Sequence, residues 1–597
     1  MNTRKAFLAA LLLLPLLLRA QNNDYTQFVN PFIGTQTDET GALSGSTFPG
    51  ATMPQGMVQL SPETEQMVTW DPCSGYDYNK DVIYGFTHTH LSGTGCTDLI
   101  DVSLMPLTHM PTPELLKAAD FGQHYSHDTE SARPGYYQVA LQESKVNVEL
   151  SATVRTGIHR YTFQKGDPQF VVLDLDRGTY RGEAYYSGRR TYDVIQAQIR
   201  VVDDHTIEGY RVVTGWAKLR KIYFRAEFSK PIKEHLLMNG NLNIGKNSEV
   251  VNGRTLRAAL RFDPSEGQQL MVKVAISPVD IEGARKNMKA EASRWDFDAY
   301  MQAAHDAWQK ELSRIDIEGT DEQKTIFYTG LYHVLMQPNT MSDVDGRYMD
   351  TNFEIKQMPK GQVYHSTFSH WDTFRAAHPL YTLIAPDIAA QFVRDMVLHH
   401  QTYGYLPIWD LWGQDNYCMI GNHAIPVLAD AIMAELPGIN VEEAYQAMER
   451  GVKAGKIHSI GLSNFYEKDV DRMMKIATIK PAVLQNETHP YHQSRSVKNH
   501  IAKLGTILEA WFPLGGRGTG IQTLSRHSTI TNIAKAHGKS AYQVLLRWHL
   551  QSGNIVIPGS KNAAHIAEDY NIFDFELTAD EMKAINELEC NHRFASY

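Results

Sequence analysis

Trp371, Asp372 and Arg375 lie close together in the stretch Ser366–Pro379 and could hold a sugar. An indole offers a flat face to sugar C–H groups. A carboxylate accepts hydrogen bonds from two hydroxyls. An arginine one helical turn on can hold that carboxylate or reach the sugar itself. The same residues would equally make a structural Asp–Arg pair beneath a core tryptophan. His88 and His90 stand two apart in YGFTHTHLSGTGC. On a strand they would share a face, which suits a zinc pair or a hydrogen-bonded structural pair. No third ligand is signalled nearby, which favours the structural pair. Asp343 and Asp345 before Gly346 resemble the opening of a calcium loop, but the rest of that pattern is missing and a tight turn is the better reading. Far downstream, Ser463 and Asn464, Gln485, Trp511 and the run Pro558–Lys561 each follow a predicted strand, where an α/β barrel keeps its polar groups.

Those residues need elements to position them. From Asn30 to Ile281 short alternating segments recur, among them 136–141, 146–152, 159–163, 170–175, 193–202, 206–213, 221–228, 255–262 and 270–276. Gly, Asn and Asp separate them, which predicts an antiparallel β-sandwich. Residues 280–312 turn helical, and helices are predicted over 322–336, 387–399, 426–435 and 441–456. From Gly455 strand and helix alternate. Strands are expected at 457–462, 482–485, 507–510 and 555–557, with helices at 467–477, 496–504, 530–537, 540–550, 563–570 and 579–588.

Composition bounds the partners. The 597 residues carry a net charge of −10, which argues against a nucleic-acid partner. Hydrophobic content of 43% and charged content of 21% are those of a soluble globular chain. The four cysteines are too scattered for a disulfide framework or a zinc site. Residues 1–20 read as a secretory signal: Arg4 and Lys5 precede the apolar run Ala6–Leu18, which is too short to span a bilayer. Export, to a periplasm or beyond, is expected, with no membrane span later in the chain.

The phrases VNPFIGT, FPGATMPQGMVQLSPET, YGFTHTHLSGTGC, SDVDGRY, SHWDTFRAAHPL and LPIWDLWG…CMIGNHA resemble glycoside hydrolase family 92, the exo-acting α-mannosidases, over about Tyr25–Met448. The resemblance implies a β-sandwich packed on an (α/α)6 toroid. It also implies calcium-dependent, inverting release of mannose from glycoprotein glycans. By it, His88, His90, Trp371, Asp372, Arg375, Trp409 and Asp410 line the terminal-mannose pocket. An inverting hydrolase needs an acid and a base about 6.5–9.5 Å apart. The family carries its acid in an E-G-N-x-W-Q-Y type segment and its base in a G-N-D-D type segment. Neither occurs after Met448, nor do most of the family's calcium-contacting positions. No catalytic residue is therefore expected, and no metal ligand is assigned.

KAGKIHSIGLSNF, LQNETHPYHQ, AWFPLGGRG and IPGSKNAAHIAEDY…FDFELTADEM resemble the C-terminal half of the aldo-keto reductases, over about Ala447–Tyr597. This implies half of a (β/α)8 barrel that binds NADP(H). Ser463, Asn464 and Gln485 would hold the nicotinamide amide, with Trp511 stacked on its ring. Leu514 and Gly515 would approach the pyrophosphate. Ser560, Lys561 and His565 would sit at the 2′-phosphate, and Asp569 near the adenine. Gly559 and His565 stand where many members have Lys and Arg, which weakens anion binding. The family's catalytic Asp, Tyr, Lys and His belong to the other half of its barrel.

The expected order is thus a signal (1–20), a β-sandwich (21–281), a helical linker (282–320), an incomplete toroid (321–447) and a half barrel (448–597). The two resemblances meet in the seam Val441–Tyr466, with no linker. Three functions follow: an α-mannosidase by lineage acting on mannose-containing glycans but lacking its acid and base, a nicotinamide-binding reductase relative lacking its catalytic residues, or a non-catalytic product of two joined reading frames. A half barrel also exposes two strand edges, so a dimer through those edges is expected.

Overall fold

The computed structural model describes residues 24–37, 45–65, 73–178, 193–240, 242–246, 248–438, 441–455, 457–516 and 519–595. The expected signal, residues 1–20, lies outside the described residues. The chain divides into two compact units, Met1–Ile439 and Asn440–Tyr597.

The first unit begins with two large antiparallel sheets. One has eight strands in the order Ala51–Thr52, Gln59–Glu63, Gly85–Thr87, Ser103–Leu107, Gln169–Asp174, Leu256–Phe262, Ile232–Asn239 and Leu242–Lys246. The other has nine, with Arg220–Phe228, Gln269–Ser277, Thr156–Thr162 and Asn147–Ala152 at its centre. Alternate residues of both sheets meet in one core. Leu104, Val171 and Leu260 from the first and Val148, Ile199, Phe224 and Val274 from the second are all buried in it. This sheet-rich region matches the expected sandwich. Several strands were not among those expected from sequence, Ile232–Asn239 among them; two of them hold a proline within the ladder, Pro62 beside Phe86 and Pro106 beside Val171.

Helices follow. The single run expected over 280–312 is two helices, Ile281–Glu291 and Phe297–Leu312. Asp280 and Asp296 each cap one by accepting a backbone N–H. Asp321–Met336 opens with a capping box of Thr320 and Gln323. Pro386–Tyr403 and Ala424–Met433 stand close to prediction, and Ala377–Ile384 is added despite Pro379 near its start. Trp308, Tyr332, Phe392, Met396 and Val427 share the core of this helical region.

Asp343 ties the helical region to its own turn. Its carboxylate accepts from Ser277 Oγ at 2.8 Å and Asn287 Nδ2 at 2.7 Å, and its carbonyl accepts from Gly346 N. The tight-turn reading therefore describes the local backbone, with Gly346 at φ 81°.

The second unit is a four-stranded parallel sheet, Gly461–Ser463, Val483–Glu487, Ile507–Trp511 and Ile555–Val556, in that order. The helix Val441–Lys453 at the seam packs inside this unit. Tyr445 donates to Ile479 O at 2.7 Å, and Glu449 accepts from Thr478 N and Ile479 N at 2.5 and 2.7 Å. The expected boundary at 447/448 thus falls in mid-helix, and the break between compact units lies a few residues earlier.

Burial pushes the Asp343 carboxyl from its ordinary 3.8 up to about 6, against hydrogen bonds from Asn287 and Ser277 and the nearby Arg155 and Arg347. A raised acid binds its proton more tightly when folded, so its stabilising share is complete below pH 4 and is lost as pH rises through 6. Relative to Asp343→Asn, the wild-type chain should lose on the order of 2–3 kcal/mol of stability between pH 4 and pH 7. Urea unfolding of both proteins at the two pH values measures this, and parallel pH profiles would contradict it.

Candidate functional sites

In the first unit the strand Phe368–Ser369 pairs with Trp409–Leu411, which turns back through Trp412 (φ 54°) and Gly413 (φ 74°) to Gln414–Asp415. Asp415 fastens the hairpin. It accepts from Ile408 N at 2.7 Å and Tyr417 N at 2.6 Å, with Trp409 N further off at 3.5 Å. Trp409 then stands 4.3 Å from Trp216, ring centre to ring centre. Trp216 is held in turn by a buried polar frame. Asp98 accepts from Ala217 N at 2.7 Å and pairs with Arg220, Arg220 pairs with Asp101, and Asp101 pairs with Arg211. The segment between those aspartates is bent into left-handed conformations at Leu99 (φ 71°) and Ile100 (φ 60°), costly for such residues. It brings Leu91 and Leu99 against the indoles. Trp216, Trp409 and Leu411 are buried in this apolar cluster, and Trp371 and Trp412 are half-buried at its margin.

Asp372 and Arg375 are exposed beside Trp371, but no ion pair joins them among the described residues. The helix His370–Thr373 is a single turn that ends before Arg375, so the expected helical spacing is not realised. Asp372 accepts instead from Ser369 Oγ, and the Arg375 guanidinium lies over the Phe374 ring.

Behind the tryptophans the site is polar and dry. Burial, then the nearby Asp415, holds the Asp410 carboxyl well above the usual range. Burial also raises Asp415, against its backbone hydrogen bonds. The His370 and His399 imidazoles are pushed well below 6.5 and down to about 4, again chiefly by burial. Asp410 Oδ1 and both ring nitrogens of His370 and His399 have no hydrogen-bond partner among the described residues.

His88 and His90 sit elsewhere than expected. The strand ends at Thr87, so the shared face does not arise. His88 bonds Val102 O and faces His159 at 3.1 Å, while His90 bonds Ser74 O and Thr87 Oγ1. Both are fully buried, with pKa values lowered to about 4 by burial. Their placement inside the sandwich gives them no visible face for a sugar. Trp216, Trp412 and Asp415 were missed. Trp412 could have been found, since it shares the phrase WDLWG with Trp409, whereas Trp216 and Asp415 carried no signal of their own.

Among the described residues no group of three or more His, Cys, Asp or Glu is placed to hold a metal ion. Calcium takes six to eight oxygens, and the Asp343 oxygens are already engaged.

In the second unit the predicted polar residues do gather at the ends of the strands. Trp511 Nε1 donates to Asn464 Oδ1 at 2.9 Å, Asn464 N and Ser463 Oγ donate to Gln485 O, and Gln485 Nε2 donates to Glu509 Oε1 at 2.5 Å. Leu514 is half-buried in an apolar cluster with Leu524. Gly515 (φ 85°) has no room for a side chain, because a Cβ would lie 2.9 Å from Gly520 O. Ser560 Oγ accepts from Asn562 N just ahead of the helix Ala563–Tyr570. Lys561 and His565 are exposed there. Burial raises Asp569 on the same helix. A glycine cradle together with an exposed cation at a helix start fits the phosphates of a dinucleotide.

Residues 28–277 match the glycosyl hydrolase family 92 N-terminal domain, and residues 283–492 match the glycosyl hydrolase family 92 catalytic domain. Together they span most of the chain, which belongs to this family over 28–492. A family GH92 α-mannosidase from Bacteroides thetaiotaomicron, solved in complex with mannoimidazole, is 33% identical with a TM-score of 0.65, covering 72% of this chain and 55% of its own. A region of the chain is also homologous to aldo-keto reductases. One from Mycobacterium sp. (strain KMS) is 42% identical over 151 residues, 25% of this chain and 53% of that one. The NAD(P)H-dependent D-xylose reductase I,II of Candida tropicalis is 32% identical over 261 residues, 41% of this chain and 76% of that one. The chain spans about half the length of the first curated relatives it matches. No helix among the described residues is long and apolar enough to cross a membrane.

Replacing Asp415 by Ala should unfold the hairpin at lower denaturant, because the N–H groups of half-buried Ile408 and exposed Tyr417 lose the acceptor of two short hydrogen bonds. The expected loss is ~2–3 kcal/mol. Asp415→Asn, which keeps one acceptor oxygen, should lose about half of that. Equal stability of all three proteins in urea titrations would show that the carboxylate does not hold the hairpin.

Proposed function

We propose that this chain is an exported, mannose-binding protein of α-mannosidase lineage that does not hydrolyse its glycan. The observation that carries the reading is the tryptophan cluster of Trp216, Trp371, Trp409 and Trp412, braced by Asp415 and edged by exposed Asp372 and Arg375. Membership of family 92 supports it, as does the likeness to a mannosidase solved with a mannose analogue. Trp371 supplies the stacking face, and Asp372 and Arg375 the hydroxyl contacts. Trp409 and Asp410 act from behind that surface, as support, whereas His88 and His90 are buried in the sandwich and take no part in it. The helices between 321 and 447 are the opening part of an (α/α)6 toroid. The family's acid and base segments are not found after Met448, so no hydrolytic step is assigned.

Isothermal calorimetry with mannose should give weak binding that Trp371→Ala lowers at least tenfold, since stacking on an aromatic face is the main apolar contact. Absence of heat with the wild-type protein would remove the sugar role. α-Linked mannobiose should release no mannose with calcium present, and turnover that a chelator abolishes would contradict the inactive reading.

A second reading concerns the second unit, whose strand-end residues Ser463, Asn464, Gln485 and Trp511 and phosphate-side Gly515, Ser560, Lys561, His565 and Asp569 suit NADP(H). It binds the dinucleotide without reducing aldehydes, because the reductases' catalytic Asp, Tyr, Lys and His belong to the first half of their barrel and have no recognised counterpart in this sequence. NADPH fluorescence should change on adding the protein, with Lys561→Ala weakening the effect, and NADPH should not be consumed with simple aldehydes. Joining of two reading frames within Val441–Tyr466 accounts for both resemblances. Reads of the locus spanning that stretch test it, and one continuous molecule would refute an assembly error.

A further inference from the structure

The parallel sheet of the second unit has two unlike faces. Leu462, Leu484 and Leu508 point to one side and are buried against Val470 and Met473 of the helix Glu467–Met474 and Val497 and Ile501 of the helix Arg495–Ala502. Their chain neighbours point the other way. On that side Ile507 is 47% exposed, Ser463 is exposed, and Val483, Gln485, Glu509 and Ile555 are half-buried. The strand register lines these residues up across the sheet. Val483 stands beside Ile507, and Ser463, Gln485, Glu509 and Ile555 form one row. Parallel sheets occur almost only with both faces covered; here the second face is covered only at one end, where Arg593 and Phe594 N bond the buried Glu487.

The sheet also has two open edges. Among the described residues Gly461–Ser463 pairs only with Val483–Glu487, and Ile555–Val556 only with Ile507–Trp511. Each edge is a row of unpaired backbone groups.

We infer that a second copy of this chain covers the open face, through a twofold axis parallel to the strands. Rotation about such an axis leaves strand direction unchanged. It brings the Gly461–Ser463 edge of each copy to the Ile555–Val556 edge of the other, and both new junctions are parallel like the rest. No edge remains. The sum is eight strands, the number at which a parallel barrel encloses an interior just filled by side chains. A twofold axis perpendicular to the strands would instead pair like edges antiparallel and leave two of them open. The open face also suits enclosure. Val483, Ile507 and Ile555 are apolar, and of the two polar side chains in the middle Gln485 Nε2 donates to Glu509 Oε1 at 2.5 Å. The inference concerns the second unit and stands apart from the mannose reading.

Sedimentation equilibrium of the full chain tests it. The wild-type protein should weigh twice its chain mass. Val483→Lys and Ile507→Lys, each placing a cation in the closed interior, should halve that mass while circular dichroism shows the fold retained. Leu383→Lys alters a side chain 80% exposed on the first unit and should leave the dimer intact. A wild-type monomer up to ~100 µM, well above the Kd range of stable dimers, would overturn the inference. So would a polydisperse aggregate, or a dimer that only Leu383→Lys dissolves.

Discussion

The candidate sugar site depends on charges that never meet water. Asp98, Asp101, Arg211 and Arg220 are all buried within the sandwich, and they neutralise one another in a chain of ion pairs. Taking such groups out of water costs several kcal/mol per ion, so removing any one leaves another charge stranded. What the arrangement secures is geometry. The carboxylate of Asp98 reaches both Arg220 and the backbone of Ala217, and so fixes Trp216. The left-handed turn at Leu99 and Ile100 persists because both of its flanks are pinned by these pairs. Without that brace Trp409 would lose the indole it packs against.

Much of the fold was legible because its signals are local. The strands 193–203, 206–214 and 220–228 alternate apolar and polar residues, and their observed limits fall within about a residue of those expected. Helices with clear caps, such as Asp321–Met336, were equally plain. The proline-bearing strands were not, since proline argues against a ladder that here accommodates it. The site was legible only in part. Trp371 and Trp409 announced themselves by their motifs. Trp216 lies in a phrase with no marker, and only a contact between residues far apart in sequence makes it part of the cluster. For Asp372 and Arg375 the three-residue spacing misled, because a helix of one turn cannot carry it. His88 and His90 misled for the matching reason, the strand stopping one residue short.

The second unit teaches the converse. Of its residues assigned from sequence, Trp511 donates to Asn464 and Asn464 N to Gln485 O, while Gln485 also donates to Glu509, which the sequence reading had not singled out. Position along a strand is a one-dimensional fact and survives transfer from a resemblance. The boundary between the units did not transfer so well. The helix Val441–Lys453 resembles both families near its middle, yet Tyr445 and Glu449 commit it by hydrogen bonds to the second unit. Side-chain partners, more than sequence likeness, decide where one folded body ends.

The close approach of Trp216 and Trp409 also has an optical side. Two indoles with centres 4.3 Å apart and planes inclined at 52° have electronic transitions that couple, and a chirally disposed pair of this kind splits its absorption into a circular-dichroism couplet. The sandwich loop and the hairpin therefore carry a built-in ruler between them, since the couplet fades steeply as the rings part. The cluster can report its own assembly during folding, with no label added.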